Sequence, residues 1–168
     1  RCLFTLSLLK GVGPAALRKI SNVTDFEDAD SRHLLEALPR KAGANITEDD
    51  LKKAQIEADR QIDLTYSSGG RIISSVDADF SGLLAKTKDD PQILFVKGTL
   101  SEASDESVAI IGTREPTEHG RVITERLTKF FVDQGWSVVS GLALGCDTIA
   151  HQTALEAGGH TVAVLAHG

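Results

Sequence analysis

The chain has no methionine, one tryptophan, one tyrosine and two cysteines among its 168 residues. Cys2 and Cys146 are too few for a disulfide framework or a thiolate zinc site, which points to a reducing, cytoplasmic setting. With no initiator methionine and no export signal after Arg1, the chain is expected to be a piece of a longer protein. Long apolar runs are missing as well. Stretches such as 162–166 are far too short to span a bilayer, so no membrane contact is expected. Nor is there a broad basic surface, since 18 Lys and Arg against 24 Asp and Glu leave a net charge of −6. Coating nucleic acid over a wide face takes many cations, so any polyanion site here has to be local.

What is present suits one good core, or a small module plus one layered domain, and excludes a stapled mini-protein. Charge is spread unevenly: residues 1–24 hold Arg1, Lys10, Arg18 and Lys19 and no acid, whereas 25–30 pack four acids into six positions. Leucines at 3, 6 and 9, then Leu17 and Ile20, flank Gly11-Val12-Gly13-Pro14. This spacing predicts helix, tight turn, helix, with Val12 plugging the gap and Pro14 opening the second helix. Further helices are expected over 30–38 and 48–64, where Leu51, Ala54, Ala58 and Ile62 recur at helical spacing. Residues 1–66 therefore read as a helical module.

Gly69-Gly70 breaks that pattern. Short strands are expected over 71–75 and 93–96, with a short helix near 81–86 and a turn at Asp89-Asp90-Pro91 between them. From Ser107 onward, strands over 108–111, 136–139 and 161–166 alternate with helices over 117–134 and 147–157. In the first of these helices, Ile123, Leu127, Phe130 and Phe131 read as one apolar face. Apolar strands separated by helices predict an α/β fold with a parallel sheet covered on both faces, over 67–168. A strand-like run at the very end suggests that the sheet continues past Gly168.

In such a sheet ligands sit outside the carboxyl ends of the strands. Two segments fall there: Gly112-Thr113-Arg114-Glu115-Pro116-Thr117 and Ser140-Gly141-Leu142-Ala143-Leu144-Gly145. Both lead into helix N-termini, whose open N–H groups favour anions. Thr117 reads as an N-cap, Gly120 leaves the first helical turn bare, Arg114 offers a planar two-pronged donor, and Ser140 adds a hydroxyl at the lip. Taken singly, either loop is a plain turn, with Arg114 paired to Glu115 or Glu118. Two such loops at one sheet edge favour a phosphate cradle instead.

Familiar nucleotide chemistry is excluded. No Gly-Lys dipeptide exists for a phosphate-binding lysine loop, the first turn has no G-x-G-x-x-G, and Val138 stands where a hydrolase nucleophile elbow needs glycine. His151, His160 and His167 with Cys146 and Asp147 have no compact ligand spacing. The expectation is no metal and no cofactor, with His151 bonding near the loop and Asp147 supporting the helix start.

Together, Ile110-Ile111-Gly112-Thr113-Arg114-Glu115-Pro116-Thr117, Gly120, the run from Val138 through Ser140 and Gly145 to Asp147, Ala150-His151, Ala154-Leu155 and Gly158-Gly159 resemble the DNA-processing protein A family, DprA/Smf. Upstream, 8–14 are similar to that family's helical N-terminal module, of helix-hairpin-helix or SAM-like type. Asp90-Pro91 and 94–98 are similar to the lead-in to its Rossmann-like domain. The resemblance implies a non-catalytic protein that binds and protects single-stranded DNA in natural transformation and loads the RecA recombinase, as a homodimer formed largely through regions beyond 168. It places the DNA backbone on Gly112, Thr113, Arg114, Thr117, Gly120, Ser140, Gly141, Leu142, Ala143 and Gly145.

Departures from the family pattern are few. Leu144 stands where arginine is common, which removes a phosphate or loop-bracing contact. Thr113 for serine keeps the hydroxyl, Cys146 replaces an apolar residue, and Phe80-Ser81 stands where Tyr-Pro is frequent. The hairpin residues Lys10, Gly11, Gly13, Arg18 and Lys19 form a secondary candidate for DNA contact, with a protein contact or a structural cap as open alternatives. The competing function is a Rossmann-like enzyme or sensor that holds a free nucleotide in the same cradle, and it would need a positioned carboxylate such as Glu115 or Asp147.

Overall fold

The structure, a computed structural model, describes residues 1–21, 31–36, 38, 45–88, 90–100 and 106–165. The acidic run 25–30, Asp89, Ala166 at the end of the expected final strand, and His167 lie outside the described residues. The chain divides into two compact units, Arg1–Gly98 and Thr99–Gly168.

The first unit opens with α1 (Cys2–Ser7) and α2 (Pro14–Ser21), joined by the expected glycine turn, where Gly11 has φ 89°. That backbone shape suits glycine because a Cβ would crowd the following carbonyl. Val12 is buried with Leu3, Leu6, Leu9, Leu17 and Ile20, and Leu51 and Ala54 join the same cluster. Helix α3 (Ser31–Glu36) and the long α4 (Glu48–Ser67) follow. A capping box starts α4: the Thr47 hydroxyl accepts from the Asp50 N–H while the Asp50 carboxylate accepts from the Thr47 N–H. Two orphan amide donors are satisfied in this way.

Strands β1 (Gly70–Ser74) and β2 (Ile93–Lys97) then pair antiparallel, with the short α5 (Gly82–Ala85) in the connection between them. Packing places this strand pair with the helices, whereas the compositional break falls earlier, after residue 66. A buried polar cluster fixes the entry to β2. Asp90 is paired with the Arg18 guanidinium and accepts from Gln92 Nε2 at 2.7 Å, and Ser75 Oγ donates to Gln92 Oε1 at 2.8 Å. A carboxylate as buried as Asp90, 4% exposed, is tolerated only with partners of this kind.

The second unit runs β3 (Ser107–Ala109), α6 (Glu118–Asp133), β4 (Ser137–Ser140), α7 (Cys146–Glu156) and β5 (Thr161–Ala163). All three strands are parallel, in the order β3-β4-β5, so the fold is mixed α/β with a small parallel sheet. Sequential order combined with right-handed crossovers puts both helices on one face. There Val132, Val138, Ala150 and Ala154 form a core, with Val108 and Ile110 packed against it. Ile111, just past β3, is 80% exposed.

The expected apolar face of α6 is corrected. Thr124, Thr128 and Val132 are buried, whereas Ile123, Leu127 and Phe130 are exposed and Phe131 is half-buried beside Trp136. The physical reason lies in the threonines. Thr124 Oγ1 donates to Gly120 O and Thr128 Oγ1 to Thr124 O, each at 2.8 Å. With its hydroxyl satisfied inside the helix, a small threonine lies on the sheet at little cost.

Candidate anion-binding site

The loops after β3 and β4 meet at the carboxyl edge of the sheet. Cys146 donates its N–H to Thr113 O at 3.1 Å. A Cβ on Gly145, whose φ is 84°, would stand 2.3 Å from that same carbonyl oxygen and 2.6 Å from Arg114 C. A Cβ on Gly112 would stand 2.5 Å from Cys146 Sγ. No side chain fits either gap, so glycine at 112 and 145 lets the loops interlock. Leu142, at φ 59°, is the one non-glycine residue with positive φ among the described residues. A leucine in that region is strained and is held there by its surroundings.

Close approach does not leave every expected donor open. Ser140 Oγ donates to Ile110 O at 2.6 Å, and the residue is buried, so its hydroxyl ties β4 to β3 rather than standing at the lip. The N–H groups of Gly141 and Ala143 both donate to Asp147 Oδ2, at 3.2 and 3.3 Å. Asp147, in the first turn of α7, is therefore a resident anion at that helix start. Cys146, Thr148 and Ile149 direct their N–H groups to Thr113, Ala143 and Gly145 carbonyls. The start of α7 is largely satisfied from within.

The start of α6 differs. Thr117 caps it as expected, its hydroxyl accepting from Gly120 N–H at 3.1 Å, and Thr113 Oγ1 accepts from Glu115 N–H at 3.2 Å. Among the described residues, the N–H groups of Gly112, Thr113, Arg114, Glu118 and His119 donate to no protein group. The exposed Arg114 guanidinium is likewise without an ion pair or hydrogen bond among the described residues. Glu115 and Glu118, its expected structural partners, do not take it. Of the ten candidate positions, then, the first loop and the α6 start hold the open donors, while Ser140, Gly141 and Ala143 build the scaffold behind them.

His151 and Asp147 do hold the local structure. Thr161 Oγ1 donates to Val138 O at 2.8 Å, so it accepts from His151 Nδ1–H at 2.7 Å, which fixes the tautomer. Nε2 is left buried with no partner among the described residues, and burial lowers the imidazole pKa against the opposing Asp147 carboxylate. His160 joins Ser137 Oγ (2.8 Å) to Thr99 O (3.1 Å) at the opposite end of the strands, a bracing link that the sequence did not reveal. Among the described residues no three His, Cys, Asp or Glu side chains gather to hold a metal, and no helix is long and apolar enough to cross a membrane.

The secondary candidates lie in the first unit. Lys10, Gly11, Gly13 and Lys19 are exposed around the glycine turn, whereas Arg18 faces Asp90 and donates to Lys88 O at 3.1 Å. A further set was missed: Arg121, Arg126 and Lys129 line a groove between α6 and α7. Arg126 and Lys129 stand three apart on the helix, and that was the available signal.

Residues 71–168 match the DNA recombination-mediator protein A family. The DNA processing protein DprA of Bacillus subtilis is 41% identical over 81 residues, covering 48% of this chain and 27% of the relative. A putative DNA processing protein DprA of Mycobacterium tuberculosis is 36% identical over 131 residues, covering 68% and 34%. Among solved structures, DNA processing protein A from Streptococcus pneumoniae superposes with a TM-score of 0.68 at 26% identity, covering 99% of this chain and 57% of that one. The chain spans about a quarter to a third of the length of the curated relatives it matches.

Proposed function

The chain belongs to the DNA recombination-mediator protein A family, and from that membership we propose that it binds single-stranded DNA without catalysis, in DNA uptake and recombination, and passes the strand to a RecA-type recombinase. In this reading residues 67–168 are a Rossmann-like DNA-binding domain, preceded by a helix-hairpin-helix or SAM-like module over 1–66. The protein works in the cytoplasm and as a homodimer. The observation that carries the reading is the unpaired Arg114 guanidinium beside open N–H groups at the start of a 16-residue helix. Such a start attracts phosphate through its unpaired donors and its partial positive charge. Gly112, Thr113, Arg114, Thr117 and Gly120 form the contact surface, and Ser140, Gly141, Leu142, Ala143 and Gly145 hold it from behind.

The competing enzyme or sensor finds less support. Asp147, one of its two candidate carboxylates, already accepts two loop N–H groups, and Glu115 is exposed with no partner to position it among the described residues. Arg114→Ala tests the proposal. The expected result is weaker binding of oligonucleotides of every sequence, a salt dependence flatter by about 0.7 in log–log slope, and an almost unchanged melting temperature. Wild-type affinity and slope would count against it. Stabilisation by a mononucleotide but not by an oligonucleotide would favour the competing function.

A further inference from the structure

We propose that the groove between α6 and α7 is a second backbone-binding track, which takes a single strand onward from the first loop; this rests on the reading of that loop as the strand's anchor. The groove has a volume of about 500 Å³, and Arg121, Arg126 and Lys129 line it from α6. Because β3, β4 and β5 are parallel, both crossover helices begin at the carboxyl edge of the sheet. One end of the groove therefore opens beside Arg114. From Arg121 to Lys129 the α6 wall runs about 12 Å at 1.5 Å per residue.

The arginines on that wall are not tied up as on an ordinary solvated helix. Glu125 lies four residues from both Arg121 and Lys129, the spacing at which helical ion pairs form. Yet among the described residues neither Arg121 nor Arg126 has an ion pair, and Lys129 reaches Asp133 instead, at 3.6 Å. Glu125 and Glu156 also line the groove and Asp133 takes Lys129, so charges balance there and what the groove offers an anion is two guanidiniums, Arg121 and Arg126, that no carboxylate among the described residues has claimed. In a chain of net charge −6, even a groove of balanced charge is less repulsive to a polyanion than the average surface. A groove of this kind holds a flexible polyanion shallowly and reads no bases.

The test compares the full chain with Arg126→Ala/Lys129→Ala and Arg114→Ala, using oligothymidylates of about 6 and about 30 nucleotides over a salt titration. Both groove residues are exposed and lie outside the core, and melting curves check that the variants fold. The expected outcome is that the double variant binds the long strand roughly five- to fiftyfold more weakly at low salt, with a slope flatter by about 1.4, and binds the short strand as the wild type does. Arg114→Ala weakens both lengths. If the double variant holds the long strand normally while Arg114→Ala does not, the track is overturned and the anchor stands. If Arg114→Ala has no effect but the double variant does, the anchor fails and the groove alone carries the strand. Equal loss on both lengths would make the groove part of the anchor and overturn a separate track. Protection of the groove by inorganic phosphate as effective as that by the long strand would make it a small-anion site and overturn the proposal as well.

Discussion

Two glycines decide whether the candidate site exists at all. Gly145 combines a positive φ with a gap in which any Cβ would collide with backbone rather than with the end of a movable side chain. Gly145→Ala is therefore expected to destabilise the protein by on the order of 2 kcal/mol or more, from backbone strain and from separation of the loops. Denaturant unfolding gives the measure, and a variant as stable as the wild type would show that the loops do not interlock. Gly120 is a different case: a Cβ there meets Pro116 and Thr117 only at 3.4 Å, ordinary contact. Leu144, 75% exposed, stands clear of the packed part of the loop, so a change of charge at that position would act at the rim and not on the scaffold.

Among the elements, α4 shows most plainly how local chemistry sets local stability. Its start is closed by the capping box, and the Thr47 hydroxyl and backbone N–H together hold the Asp50 carboxyl below its ordinary pKa. In its middle, hydrogen bonds from Arg60 and then Gln61 pull Glu57 down to about 2 from an ordinary 4.5. A carboxylate whose folded pKa is depressed stabilises the fold above its unfolded value, and that contribution disappears as pH falls toward the folded one. Helix content is thus expected to drop as acid is added from about pH 4.5 to about pH 2, less steeply at high salt because these groups are exposed. Far-UV circular dichroism across that range checks it, with Glu57→Gln expected to flatten the acid limb. Helix α6 makes the complementary point, since two of its three buried residues, Thr124 and Thr128, are polar and are satisfied by bonds within the helix.

For the whole molecule, the negative net charge limits how nucleic acid can be held. Arg114, Arg121, Arg126 and Lys129 are the cations that the anchor and the groove supply, so the log–log salt slope for a long single strand is expected to be no steeper than about −3. A slope near −6 or beyond would show a broad basic surface that neither unit's proposed contacts provide. The two units keep separate clusters of buried residues, one built on α1, α2 and α4 and the other between the small sheet and its two helices.

Sequence alone determined the order and nearly the bounds of the elements, because turn residues and apolar periodicity act locally: Gly11-Val12-Gly13-Pro14 makes the hairpin, Thr117 caps α6, and strands alternate with helices from Ser107 on. It also brought out the two loops, since glycine-rich segments after buried strands are legible without coordinates. Only the tertiary structure decided which donors remain open. Ser140 turned into the sheet, Asp147 filled the loop that had looked like half of the cradle, and Arg18 went to a carboxylate 72 positions away in the chain. Each of those outcomes depends on what a polar atom meets across the fold. A hydrogen-bond donor is available to a ligand only when no nearer acceptor has claimed it, and for these three side chains the deciding acceptor or donor is not a neighbour in sequence.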